Sequence, residues 1–246
     1  MNIVEYGTQN PETVLLLHGG GLSWWNYRKA AELLGETHHV ILPVLDGHAG
    51  SGRDFSSIRE NAEEILRLVD ARCGGSVLLM GGVSLGAQVL LEVLALRPDV
   101  CRYAVVESAS VIPSGLTAAL LAPSVSCSYG LIKQKWFARL QFHYLRIDPD
   151  LFEEYYRDTC AITRENMISF LKASVSYAGS DALRNCAAQC AIFAGGREQR
   201  GMRRSAERLH TLLPNSTLEV KQGLYHGEFS MNHPREYVRT LQALIK

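Results

Sequence analysis

The pentapeptide Gly82-Val83-Ser84-Leu85-Gly86 constrains the fold of this chain more than any other stretch. Before it, Ser76-Val77-Leu78-Leu79-Met80 is a short apolar run bounded by Gly74-Gly75 and Gly81-Gly82, the pattern of a strand buried on both faces. After it, Leu85, Val89, Leu90, Val93, Leu94 and Leu96 recur at helical spacing until Pro98. A serine between such a strand and helix sits on a tight turn with its hydroxyl exposed. If that turn forces the serine to positive φ, bulky side chains two residues to either side have no room. The helix then aims its N-terminal N–H groups at the space beside the hydroxyl.

Strand-like and helix-like segments alternate on both sides of this turn. Apolar runs at Thr13–Leu17, His39–Leu42, Tyr103–Glu107, Ala188–Ala194 and Thr217–Val220 read as strands. Helical patterns lie at about Trp25–Leu34, around Ile65–Val69, at about Met202–Leu213, and from Pro234 to Ile245. The expected class is α/β: a mostly parallel sheet covered by helices on both faces. Between Ser110 and Asn185 the alternation stops and aromatic-rich helical patterns take over. Residues 1–109 and 186–246 are therefore expected to form the core, and 110–185 a helical cap inserted into it.

Composition narrows the function classes. Lys+Arg and Asp+Glu both number 25, and no long basic tract is present, which argues against nucleic acid or an anionic membrane as partner. No apolar stretch is read as reaching 18 residues, so no membrane span is expected. The first residues lack a basic leader and an apolar signal core, so a cytoplasmic location is expected. The six cysteines are scattered without a CxxC pair, giving no expected metal site. Cys186 and Cys190 would approach each other if helical.

A serine hydroxyl at neutral pH needs a base, usually a histidine oriented by a carboxylate. His226, in Gly223-Leu224-Tyr225-His226-Gly227, follows the last strand, where catalytic loops gather on an open α/β sheet. His233 suits helix entry better, His18 reads as a loop-orienting residue, and His38, His39 and His210 read as surface residues. Glu198, just beyond the Ile192-Phe193-Ala194 strand, is the favoured acid, ahead of Glu107 and Asp181. Two backbone donors are expected to face a developing oxyanion: the N–H of Leu85 and that of Gly20, with Gly21 as the alternative.

The stretches His18-Gly19-Gly20-Gly21, Asp46-Gly47-His48-Ala49-Gly50-Ser51, Gly82–Gly86, Glu198 and Gly223–His226 together resemble the α/β-hydrolase superfamily, closest to its compact, capped members. The Asp46–Ser51 loop departs from that family's D-x-x-G-H-G-x-S pattern by one residue and by Ala49, and reads as architectural. The glutamate acid departs from the commoner aspartate, which keeps Glu107 open. The short stretch before Val14 implies few opening antiparallel strands. The resemblance implies a cofactor-free serine hydrolase acting on an ester, thioester or lactone of a small apolar molecule. It also implies alternatives: C–C bond hydrolysis, lyase or haloperoxidase chemistry, or a receptor-like binding role on the same fold. Among the cap aromatics, Trp136, Phe137 and Phe142 are the expected pocket lining, with Tyr144, Tyr155 and Tyr156 as further candidates.

Overall fold

A computed structural model describes residues 1–245 of the chain. Seven strands form one sheet: β1 (Ile3–Tyr6), β2 (Thr13–Leu17), β3 (His39–Pro43), β4 (Val77–Val83), β5 (Cys101–Glu107), β6 (Gln189–Gly195) and β7 (Ser216–Lys221). Their order is β1-β3-β2-β4-β5-β6-β7, and only β1 runs antiparallel to its neighbour. One short antiparallel strand thus opens the sheet. The central strands are apolar on both faces because helices cover both, and two buried clusters result.

One cluster lies under α2 (Ile58–Cys73), α3 (Leu85–Leu96) and α8 (Arg200–Leu212). The other lies under α1 (Arg28–Leu34) and α10 (Pro234–Ile245). α2 starts at Ser57, whose side chain accepts from the Glu60 N–H, and stops at Gly74 in the left-handed conformation. A one-turn helix, α9 (Glu228–Asn232), precedes α10; at five residues it is too short to show periodicity.

Between β5 and β6 stand α4 (Gly115–Ile132), α5 (Lys135–Tyr144), α6 (Phe152–Ala161) and α7 (Arg164–Ser176). Polar tethers hold this segment to the sheet side. Trp25 Nε1 donates to Asp158 at 2.8 Å, Arg28 pairs with Glu154 at 2.6 Å, and Lys29 pairs with Asp148 at 2.7 Å. Gln88 Nε2 donates to the Ser110 and Ser174 carbonyls. α4 corrects one expectation. Its 18 residues carry no charge and are long and apolar enough to cross a membrane, because small serines and glycines merely interrupt an otherwise apolar run.

Two histidines also depart from expectation. His38 is buried beside Thr37, and His39 pairs with Glu5 at 2.9 Å instead of lying free on the surface. Cys186 and Cys190 do approach, with sulfurs 4.0 Å apart, but across the entry to β6 and not along a helix.

The spacing of the pentapeptide has a direct steric cause. A Cβ on Gly82 would lie 2.6 Å from the Gly86 backbone, and one on Gly86 would collide with the Leu17 and His18 carbonyls. Gly86→Ala should therefore cost about 3 kcal/mol or more, since backbone and not a flexible side chain must yield. Gly201→Ala, in α8 with nothing within 4 Å of the added carbon, should be neutral or slightly stabilising. Denaturant midpoints of the two variants check the contrast.

Candidate active site

β4 runs through Gly81-Gly82 to Val83, and Ser84 turns the chain into α3. Ser84 has φ 55° and ψ −117°, a region that costs about 1–3 kcal/mol for a residue with a Cβ. Surrounding structure holds it there: its N–H donates to the Glu107 carbonyl of the adjacent strand at 2.9 Å. The hydroxyl consequently stands at the C-terminal edge of the sheet.

The loop after β7 brings His226 to it. His226 Nε2 lies 2.9 Å from Ser84 Oγ, and Nδ1 lies 2.9 Å from Glu198 Oε1. With Nδ1–H donating to the carboxylate, Nε2 is free to accept the serine proton. The Glu198 side chain is 2% exposed and its other oxygen accepts from the Gly195 N–H. The imidazole is 46% exposed, open to solvent on the side of Ser84.

Glu107 stands elsewhere. Its oxygens accept from the Phe229 and Ser230 N–H groups at 3.1–3.2 Å, so it holds the start of α9 just past His226. Ser108 adds a second hold by accepting from the Gly227 N–H. Asp181 begins a short 3-10 turn away from this edge. Of the three carboxylates considered, the structure brings only Glu198 to the imidazole.

In the loop after β2, three successive N–H groups have separate fates. Gly19 donates to Asn26 Oδ1 at 3.1 Å and Gly21 donates to His48 Nε2 at 3.0 Å. The Gly20 N–H has no protein acceptor among the described residues, and the Leu85 N–H opens α3 next to it. A Cβ on Gly20 would lie 3.5 Å from the Leu85 side chain, which places the two residues side by side. Asn26 and His48, which consume the flanking donors, carry no sequence signal of that role.

His18 and His48 support this loop in neutral form. His18 Nε2 accepts from the Leu45 N–H and Nδ1 donates to the Gly19 carbonyl; His48 Nδ1 donates to the Asp46 carbonyl. Burial, with His48 nearby, lowers His18 to about 3, and burial lowers His48 to about 4. Glu107 shifts the opposite way: burial raises it to about 7, against the hydrogen bonds from Ser230.

These shifts set opposing pH dependences. A depressed histidine contributes stability present above its ordinary value of 6.5 and lost as pH falls through the folded value. The raised glutamate contributes stability present below 4.5 and lost as pH rises through about 7. Between those ordinary values the unfolded chain takes up protons on two histidines while the folded chain holds one on Glu107. For these groups the net loss on acidification is about 1.4 kcal/mol per pH unit. Glu107→Gln should roughly double that slope and stabilise the protein above pH 7. Urea midpoints across this range measure both curves; parallel curves would count against the assignment.

Leu22, Leu145, Ile147 and Met231 line a hollow of about 190 Å³ over Ser84. The expected aromatic lining is corrected here. Trp136 is 63% exposed, Phe137 packs against the main core, and neither reaches the hollow. Phe142 stands one layer back, in a cluster with Leu22, Ile147 and Met231, and faces a separate open groove of about 640 Å³ beyond Ile147. The observed lining comes from connections and from α9, which have no periodicity to expose them. Arg146, at φ 54°, makes the bend that turns Leu145 and Ile147 toward Ser84. Among the described residues no three His, Cys, Asp or Glu side chains are grouped to hold a metal ion.

A strand-turn-helix serine, a late histidine and a seven-stranded, mostly parallel sheet define a class, and comparison agrees. The model of the alpha/beta hydrolase family matches residues 14–240, and the chain belongs to that family. A search of curated protein sequences found no match. Among solved structures, an enol-lactonase from Burkholderia xenovorans superposes with TM-score 0.83 at 12% identity, covering 99% of this chain and 95% of that one. A thermophilic esterase from Thermogutta terrifontis gives 0.79 at 15% identity, covering 100% and 94%. A lipase-esterase related protein from Clostridium acetobutylicum gives 0.76 at 18%, covering 99% and 98%. At these identities the likeness is one of fold.

Proposed function

We propose that this protein is a serine hydrolase that cleaves an ester, thioester or lactone of a small apolar molecule through an acyl-enzyme on Ser84. The observation that carries the reading is the relay of two 2.9 Å contacts, Ser84 to His226 to Glu198, at the floor of an apolar hollow. Ser84 Oγ attacks the carbonyl carbon as its proton passes to His226 Nε2. The carbonyl oxygen becomes an oxyanion held by the N–H groups of Leu85 and Gly20. The tetrahedral intermediate collapses, and the leaving oxygen or sulfur takes the proton from His226. A water then gives a proton to His226 and attacks the acyl carbon, and the returning proton frees Ser84.

Glu198 keeps the imidazole in the required tautomer and stabilises its cation. Residues 110–185 act as a cap: Leu145 and Ile147 descend from it to roof the acyl site. A hollow of about 190 Å³ favours a short acyl or small lactone substrate. The names of two neighbours in fold, an enol-lactonase and an esterase, lend the same reading support. A fluorophosphonate probe tests it: wild type should label and Ser84→Ala should not, followed by turnover on an ester, thioester and lactone panel. Absence of labelling in folded wild type would overturn the proposal.

A further inference from the structure

The balanced total charge of the chain conceals a segregated one. From Ser108 to Ile147 there is no Asp or Glu, while Lys133, Lys135, Arg139 and Arg146 fall within that stretch. Among the described residues, the same stretch holds all seven of the large hydrophobic side chains exposed on the surface: Leu116, Leu120, Leu131, Trp136, Leu140, Tyr144 and Leu145.

The two properties are arranged in rows. On α5, Trp136, Leu140 and Tyr144 follow one another at intervals of four and are 63%, 61% and 83% exposed. Lys135, Arg139 and His143 form the adjacent row at the same interval. α4 adds an uncharged surface of which only Val125 and Ile132 are buried, with Leu116 and Leu120 outward. Lys135 pairs with Glu153, but Lys133, Arg139 and Arg146 have no acidic partner among the described residues. Exposed apolar surface on this scale needs a cover, and the basic side chains of α5 and its flanks, with Glu153 the acid paired to Lys135, select an anionic one.

We infer that α4 and α5 form a docking face for an anionic lipid membrane, lying in the plane of its interface. Trp136 and Tyr144 suit the headgroup level, the leucines the acyl boundary, and the lysine and arginine side chains the lipid phosphates. α4 does not cross the bilayer in this arrangement, because Val125, Ile132 and Tyr129 anchor it to the protein core. Leu145 belongs both to this face and to the hollow over Ser84, so the mouth opens beside the lipid. The docking face stands independently of the chemistry at Ser84.

Vesicle flotation of the full chain tests this. Equimolar phosphatidylglycerol–phosphatidylcholine vesicles should carry the protein, and pure phosphatidylcholine vesicles far less. Lys133→Gln and Arg139→Gln should each weaken uptake about fivefold at low salt. The triple variant Leu116→Gln, Trp136→Gln, Leu140→Gln should lose uptake while keeping its circular dichroism and fluorophosphonate labelling. Trp136 is the exposed one of three tryptophans, so brominated lipid should quench its emission in the bound protein. Three results would overturn the inference. The first is no uptake by either vesicle, including a stable dimer dispersed by the triple variant, which would assign the face to a second copy. The second is uptake unchanged in the triple variant, and the third is uptake resistant to alkaline extraction, which would make α4 a span.

Discussion

Ser84→Ala should lower kcat about 10⁶-fold on whichever ester or lactone proves to be turned over, with substrate affinity nearly unchanged. The size follows from the proposed acyl-enzyme route. Without the hydroxyl there is no acyl-enzyme, and the donors at Gly20 and Leu85 are left to assist only direct attack by water. That residual assistance is expected to be about 10³-fold over the uncatalysed reaction. Folding should survive, because the substitution retains the Cβ and the backbone N–H bond to the Glu107 carbonyl that hold the turn. Steady-state kinetics with a denaturant midpoint on the same sample check both statements. A loss of only tenfold would remove Ser84 from the nucleophile's role.

The second large effect separates the two glutamates. Glu198→Gln should cost about 10⁴-fold in kcat, as expected when the group orienting a catalytic imidazole loses its charge. The amide still fits beside His226 Nδ1 but no longer stabilises the imidazolium, and its NH₂ group favours the wrong tautomer. Glu107→Gln should stay within a factor of a few, since Oε1 still accepts from Phe229 and Ser230. A loss in kcat with KM and the urea midpoint near wild type distinguishes orientation from mere structural support. Equal losses in both variants would mean that the carboxylates share the task.

Much of the arrangement at this edge of the sheet was legible in the sequence because strand, turn and helix are local. Gly82 and Gly86 are read correctly since each must avoid backbone only a few residues or one strand away. His226 and Glu198 were legible for a topological reason: both follow strands whose C-terminal ends meet at one edge of a parallel sheet. The sequence favoured Glu198 over Glu107 and left Glu107 open. Both lie at that edge, Glu107 at the end of β5 and Glu198 in the loop after β6, and side-chain direction decides which one reaches the imidazole.

Pocket composition was legible least. Trp136 and Phe137 look like ligand aromatics by type, yet helix phase turns one outward and the other into the core. Leu145, Ile147 and Met231 look like ordinary core residues, yet a bend at Arg146 and a one-turn helix place them over Ser84. Side-chain type says what a residue prefers to touch; irregular backbone says what is within reach. A total charge likewise cannot record that the segment from Ser108 to Ile147 holds four basic and no acidic residues.

Taken alone, the sequence determined the α/β class, the strained serine between its two glycines, and the late histidine, since each rests on short-range sterics or on strand order. Only the tertiary structure decided which carboxylate meets His226, which of three glycine N–H groups is left unpaired, what lines the hollow, and that α4 and α5 turn an apolar, basic face outward. Those outcomes depend on side-chain direction across elements far apart in the chain, which periodicity does not encode.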